Sequence, residues 1–207
     1  MSEILTSPRP SRFGRALGFR VVSSGSAVPQ RVVTNADLGH LGCDPEWILS
    51  RSGIQERRHV DPGMATSDLA FQAAERAISA CPGRREEVDL LVLGTFTPDT
   101  SLPSTACIVQ EKLGLNAPAM DVTAACAGFA YALVTAGQFL ATGSSNLAMV
   151  IGVDTNSRVV NPADVKTWPL FGDGAGAVLL ERTEEKQEST GLLAWSLGSD
   201  GLSLIHI

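Results

Sequence analysis

Apolar residues along this chain fall into two rhythms that alternate from one end to the other. Short, largely apolar runs at 89–95, 147–153, 175–180 and 192–197 read as strands buried on both faces, and 19–24 (FRVVSS), with polar residues at three positions, reads as a further buried strand. Between them lie stretches with apolar residues three and four apart. Leu69, Ala73, Ala77 and Ile78 mark one face of a helix that Thr66 or Ser67 caps and Pro82-Gly83 stops. Thr34 and Asp37 have the spacing of a capping box, and Asp44-Pro45 supplies an N-cap and an N1 proline for a helix carrying Trp47 and Arg51 one turn apart. Residues 104–113 predict a helix closed by Gly114. A short strand at 119–122 leads into an alanine-rich helix that ends near Gly143. Fully apolar strands alternating with amphipathic helices imply a sheet covered on both faces. On pattern alone the expected fold is a doubly wound α/β domain.

One side chain at a strand-to-helix junction carries candidate chemistry. In Asp121-Val-Thr-Ala-Ala-Cys-Ala-Gly-Phe129, Cys126 is placed where a strand turns into a helix. Free backbone N–H groups and the positive end of the helix dipole would lie beside the thiol. That setting favours a thiolate, which can take an acyl group from a thioester and hold it covalently. A small buried cysteine with no chemical role fits the same spacing, so the local pattern alone leaves both readings open.

Composition narrows the class. A chain of 207 residues, 44% hydrophobic, with slightly positive mean hydropathy, can bury one good core or two small ones. The net charge of −6 gives no general pull toward nucleic acid or an anionic membrane, so neither is expected as a partner. Residues 1–60 nevertheless hold eight arginines against five acids. An arginine-rich entry region suits an anionic ligand such as a nucleotide diphosphate or an acidic carrier protein, although most such arginines serve as solvated surface. Cys43, Cys81, Cys107 and Cys126 form no CxxC pair and have no histidine at metal spacing, so they are expected to be reduced thiols without a metal. Residues 1–17 lack the apolar run of a signal peptide, and no stretch reads as a membrane span. A cytoplasmic location is expected.

The Ala-Cys-Ala-Gly-Phe stretch resembles the nucleophile segment of β-ketoacyl-acyl-carrier-protein synthase III, a condensing enzyme of the thiolase superfamily. Three further blocks resemble that family in the same order: residues 44–58 (DPEWILSRSGIQERR), Leu102-Pro-Ser-Thr-Ala-Cys107 and Phe171-Gly-Asp-Gly-Ala-Gly-Ala177. The resemblance spans roughly residues 18–201. It implies a thiolase-like α/β fold in which two βαβαβαββ halves build a five-layer αβαβα architecture, with only the N-terminal half present here. On this reading residues 1–17 are a loose extension, 18–201 the half-domain and 202–207 an anomalous tail that continues no family pattern.

The implied reaction begins with transfer of an acyl group from acyl-CoA to Cys126. A malonyl-carrier-protein thioester then loses CO₂, and its carbanion attacks the acyl-enzyme. No cofactor is implied; acyl-CoA and malonyl-acyl carrier protein are the substrates, and a homodimer is the implied assembly. A His and an Asn of the missing half would stabilise the enolate. His40, His59 and His206 are read as surface residues, so the chain by itself is expected to be inactive. The resemblance further implies that Trp47 and Arg51 belong to a CoA entrance, with Trp47 as packing and Arg51 as a surface ion pair the alternative. Val165 stands where the family commonly has an arginine, with Lys166 beside it, which weakens the case for CoA as donor because lysine does not stack as a planar group. Leu102 is implied to reach a dimer partner's acyl pocket, and Phe171 to line the pocket of its own chain. The glycines of Gly172-Asp-Gly174 are expected to let backbone pass close to the Cys126 helix, with Asp173 holding the loop. Two other readings stand beside this one: an acyltransferase or polyketide-starter synthase of secondary metabolism, and a non-catalytic half-domain that pairs with a partner.

Overall fold

The computed structural model describes residues 12–183 and 191–199. The central sheet has five strands. They are β2 (Phe19–Ala27), β5 (Leu90–Gly94), β6 (Ala119–Val122), β7 (Leu147–Thr155) and β8 (Asp173–Arg182), in the order β2-β8-β7-β5-β6. β5 pairs in parallel with β6 and β7, while β8 runs antiparallel to both β7 and β2. Helices α2 (Thr66–Ser79), α3 (Thr105–Leu113) and α4 (Gly128–Thr142) connect these strands. Along the chain the core therefore reads β2-α2-β5-α3-β6-α4-β7-β8, the βαβαβαββ order of the thiolase-like half rather than an all-parallel doubly wound sheet.

The two faces of the sheet bury different sets. Leu91, Leu93, Met149, Ile151 and Leu179 point toward α2 and α3, packing on Leu69, Ala73, Ala77 and Val109. Leu90, Val92, Ala148, Val150 and Leu180 point the other way, onto Ala132, Ala136 and Leu140 of α4. Alternate positions of one strand thus feed opposite cores, which explains why these strands are apolar throughout. α2 presses so closely on β2 that a Cβ on Gly25 would stand 2.3 Å from the Ala73 carbonyl oxygen.

A smaller unit is inserted between β2 and α2. Strands β3 (Arg31–Thr34) and β4 (Glu56–His59) pair antiparallel, with α1 (Pro45–Ser52) between them. Asp44 caps α1 by accepting from the Glu46 N–H at 3.1 Å, and Gly53 ends it in a left-handed conformation. The Thr34–Asp37 box is present: the Asp37 carboxylate accepts from the Thr34 N–H at 2.8 Å, although the segment it opens, Ala36–Leu41, is a 3-10 helix.

Several expectations need correction. Ala65, not Thr66 or Ser67, is the N-cap of α2. Its N–H donates to Asp68, whose carboxylate also receives Lys112, and the Thr66 hydroxyl turns inward to Thr155 at 2.6 Å. β1 (Arg12–Leu17) lies within the segment expected to be a loose extension, and it pairs with β9 (Leu192–Leu197) in a ribbon separate from the central sheet. The rest of that extension and the tail at 202–207 fall outside the described residues. The segment Ala125–Thr142 is long and apolar enough, by length and composition alone, to cross a membrane; here its inner face packs on the sheet.

Candidate active site

β6 ends at Val122, and the chain turns through the 3-10 segment Ala125–Ala127 before α4 begins. Ala125 has φ 45°, a left-handed conformation that costs a residue bearing a Cβ about 1 kcal/mol. This sharp turn leaves Cys126 exposed, one 3-10 turn ahead of the helix N-terminus, whereas Cys43, Cys81 and Cys107 are each partly covered. The sequence located the junction but not the strained residue beside the thiol, because an alanine gives no local sign of positive φ.

Cys126 opens onto a cavity of about 700 Å³ walled by the C-terminal ends of β5 and β7 and the start of β8. Its floor is largely backbone: Gly94, Gly128, Gly152, Gly174 and Gly176 all face it. Among the described residues no histidine lines this cavity. Asp154 does line it, but one carboxylate oxygen accepts from the Thr95 hydroxyl at 2.9 Å, the Phe96 N–H at 2.9 Å and the Thr97 hydroxyl at 3.1 Å. A carboxylate so occupied ties the β5 and β7 ends together and is poorly placed to move a proton.

Asp173, which opens β8, is buried and accepts from the Val60 N–H at 2.7 Å and from the Ser157 N–H at 2.9 Å and hydroxyl. It holds the loop, as its turn signal suggests. The glycines flanking it do not face α4, however. A Cβ on Gly172 would meet Arg57 and Arg58, and one on Gly174 would meet only Ala27 and Val28 at the edge of contact. The approach to α4 is made instead by Gly94 and Gly152.

A second cavity, of about 640 Å³, brings together Trp47 and Arg51 of α1 with Val165 and Lys166 of the 156–172 loop. Trp47 is 54% exposed, so it is not a core residue, and among the described residues Arg51 has no ion-pair partner. An exposed indole and an unpaired guanidinium on one helix face suit a planar, anionic ligand. Leu102 stands 87% exposed on the loop before α3 and does not line the Cys126 cavity. Phe171 does not line that cavity either; its carbonyl lies 3.3 Å from the His59 ring Nε2.

His59 is not a surface residue. It is 2% exposed, its ring meets Trp168 edge to face at 4.7 Å, and burial lowers its pKa below the usual histidine value. Arg57, two positions earlier on β4, is buried as well. Their period-two alternation with Glu56 and Arg58 was readable, but charged side chains at the inward positions disguise a half-buried strand as a polar loop.

A family model described as 3-oxoacyl-[acyl-carrier-protein (ACP)] synthase III matches residues 120–201, the stretch that holds the Cys126 turn. The β-ketoacyl-[acyl-carrier-protein] synthase III of Rhodopirellula baltica is 50% identical, over 91% of this chain and 59% of that protein. The corresponding enzyme of Xylella fastidiosa is 46% identical, over 88% of this chain and 56% of its own length. Among solved structures, the 3-oxoacyl-(acyl carrier protein) synthase III of Pseudomonas aeruginosa superposes with a TM-score of 0.83 at 39% identity, covering 90% of this chain and 57% of that one. The priming β-ketosynthase of the R1128 polyketide biosynthetic pathway superposes with a TM-score of 0.78 at 31% identity, covering 87% and 53%. The chain spans little more than half the length of the curated relatives it matches.

Proposed function

The chain is a homologue of the β-ketoacyl-acyl-carrier-protein synthases III, of the thiolase superfamily, and we propose that it supplies the nucleophile half of such a condensing enzyme. The observation that carries this reading is Cys126, exposed on a strained turn at the N-terminus of α4 and opening onto the glycine-walled cavity.

In the proposed reaction the Cys126 sulfur attacks the carbonyl carbon of an acyl-CoA thioester. The carbonyl's bond to the CoA sulfur breaks, and CoA leaves as the thiolate. Malonyl-acyl carrier protein then loses CO₂, and the electron pair of the broken C–C bond attacks the acyl-Cys126 carbonyl. Cys126 is expelled as thiolate, leaving a β-ketoacyl-carrier protein, the first condensation product of fatty-acid synthesis. The donors that stabilise the enolate belong, on this reading, to the part of the family's enzymes that this chain does not span; among the described residues no histidine lines the Cys126 cavity. Such donors typically contribute about 10²–10³ in rate each, so this chain by itself condenses at best weakly.

Trp47 and Arg51 hold the adenine and phosphate end of the acyl-CoA, with Lys166 on the facing loop. Leu102 protrudes toward a second subunit of a homodimer, and Phe171 shapes the acyl site indirectly through its loop. The half-domain takes in β1 as well, since β1 pairs with β9, and on this reading it belongs to a cytoplasmic enzyme. The test is to supply the acylated full-length protein with malonyl-acyl carrier protein. Release of CO₂ with formation of a β-ketoacyl-carrier protein supports the reading; acyl transfer to a hydroxyl or amine without CO₂ release overturns it. That second outcome defines one alternative, a secondary-metabolism acyltransferase; the likeness to the polyketide priming β-ketosynthase bears on the other, a polyketide-starter synthase, which would also condense.

A further inference from the structure

Arg57 is buried, at 6% exposure, and among the described residues no carboxylate lies within ion-pair distance of it. Its partners are uncharged acceptors on three separate segments. One terminal nitrogen donates to the Val33 carbonyl of β3 at 3.2 Å. The other donates to the Asn35 side-chain oxygen at 2.9 Å and to the Pro169 carbonyl at 2.7 Å. The Nε–H is buried with no partner. An unneutralised guanidinium in the interior is costly, and a packed apolar side chain would serve stability as well or better. What it supplies is a rigid fork reaching several acceptors at once, a geometry lysine does not reproduce.

Those acceptors lead to both walls of the Trp47 cavity. Asn35 is itself buried, and its amide nitrogen donates to the Ile54 carbonyl just beyond α1 at 2.7 Å and reaches the Pro45 carbonyl at the start of α1 at 3.4 Å. α1 carries Trp47 and Arg51, and Pro169 lies on the loop that carries Val165 and Lys166. We propose that Arg57 is a positioning residue: through Asn35 on one side and Pro169 on the other, its guanidinium sets the spacing between the two walls of the Trp47–Lys166 cavity. Its bearing on acyl-CoA binding rests on the function proposed above; the brace itself does not.

The experiment uses the full-length protein and its Arg57→Lys variant. Hydrogen exchange is read at the amides of residues 47–52 and of 165–168 and 170, with the α2 amides as an internal reference. Arg57→Lys is expected to speed exchange on both walls together and leave α2 unchanged. The KM for acyl-CoA is expected to rise about tenfold or more at nearly constant kcat, since misplacement by ~1 Å can cost up to 10²-fold. Alkylation of Cys126 by iodoacetamide should keep its wild-type rate. Unchanged exchange on either wall, or a KM that stays put while kcat falls, overturns the proposal. If Arg57→Lys loosens α2 as well, Asn35→Ala decides: it leaves the Pro169 bond in place, so only the 47–52 amides should speed up, and their failure to do so overturns the brace. A wild-type protein that does not bind CoA, yet shows the paired exchange response in Arg57→Lys, removes the acyl-CoA reading and leaves the brace standing.

Discussion

Gly94, the last residue of β5, lies so close to Gly128, the first of α4, that a Cβ on Gly94 would stand 2.4 Å from the Gly128 carbonyl carbon. The obstacle is backbone on both sides, so neither a rotamer change nor a small side-chain shift relieves it. The contact fixes how far the Cys126 turn sits from the sheet. Gly94→Ala is therefore expected to destabilise the fold by about 3 kcal/mol or more, measured by denaturant unfolding of the full-length protein. Gly176→Ala faces the same cavity with nothing within 4 Å of the new methyl group, and should leave stability within about 0.5 kcal/mol.

His59 makes stability depend on pH. Burial lowers its pKa below the usual 6.5, only partly opposed by the Phe171 carbonyl and Asp173, with Arg31 and Arg57 adding to the depression. The unfolded chain therefore binds the proton more readily than the folded one. Stability contributed by neutral His59 is present above pH 6.5 and is lost as pH falls below it toward the lowered folded value. His59→Gln should flatten the fall in melting temperature between about pH 7.5 and pH 5. An undiminished slope in the variant would assign the effect elsewhere.

Asp173 is expected to matter for folding and not for chemistry at the thiol. Replacing it with alanine leaves the Val60 and Ser157 N–H groups without their acceptor, at a cost of roughly 2–4 kcal/mol. Under conditions where Asp173→Ala remains folded, the rate of Cys126 alkylation should match wild type. A rate that falls with intact near-UV circular dichroism would instead make Asp173 part of the reactive site.

Strands buried on both faces were the easiest part of the fold to read, because a continuous apolar run as short as 147–153, bounded by polar residues, fits a covered strand better than a helix. Direction was harder: nothing in β8 distinguishes a strand antiparallel to β7 from one parallel to it. The β3–β4 pair escaped because Arg57 and His59 occupy its inward positions, and β1 because its partner β9 lies at the far end of the chain. At the site, the place of Cys126 between strand and helix was legible, but the local pattern did not decide between a reactive thiol and a packed one. The Trp47–Arg51 pair was legible from helical spacing. The strain at Ala125 and the closeness of Gly94 to α4 were not, since both depend on tertiary contacts that no local pattern encodes.

The start of α4 supplies a prediction about association. Phe129, at the Cys126 cavity, is 39% exposed, while Ala132, Ala136 and Leu140 further along α4 pack on the sheet. The 207-residue chain produced alone is expected to form oligomers, seen by light scattering on a sizing column. A monodisperse monomer that melts cooperatively would contradict this.

The most direct test of the central claim is intact-protein mass spectrometry of the full-length protein after brief incubation with acetyl-CoA. The account predicts a single acetyl adduct that maps to the peptide carrying Cys126, is reversed by hydroxylamine, and is absent in Cys126→Ala. An adduct that survives in Cys126→Ala, or no adduct from acetyl, isobutyryl or longer acyl-CoA donors on a folded protein, would contradict it.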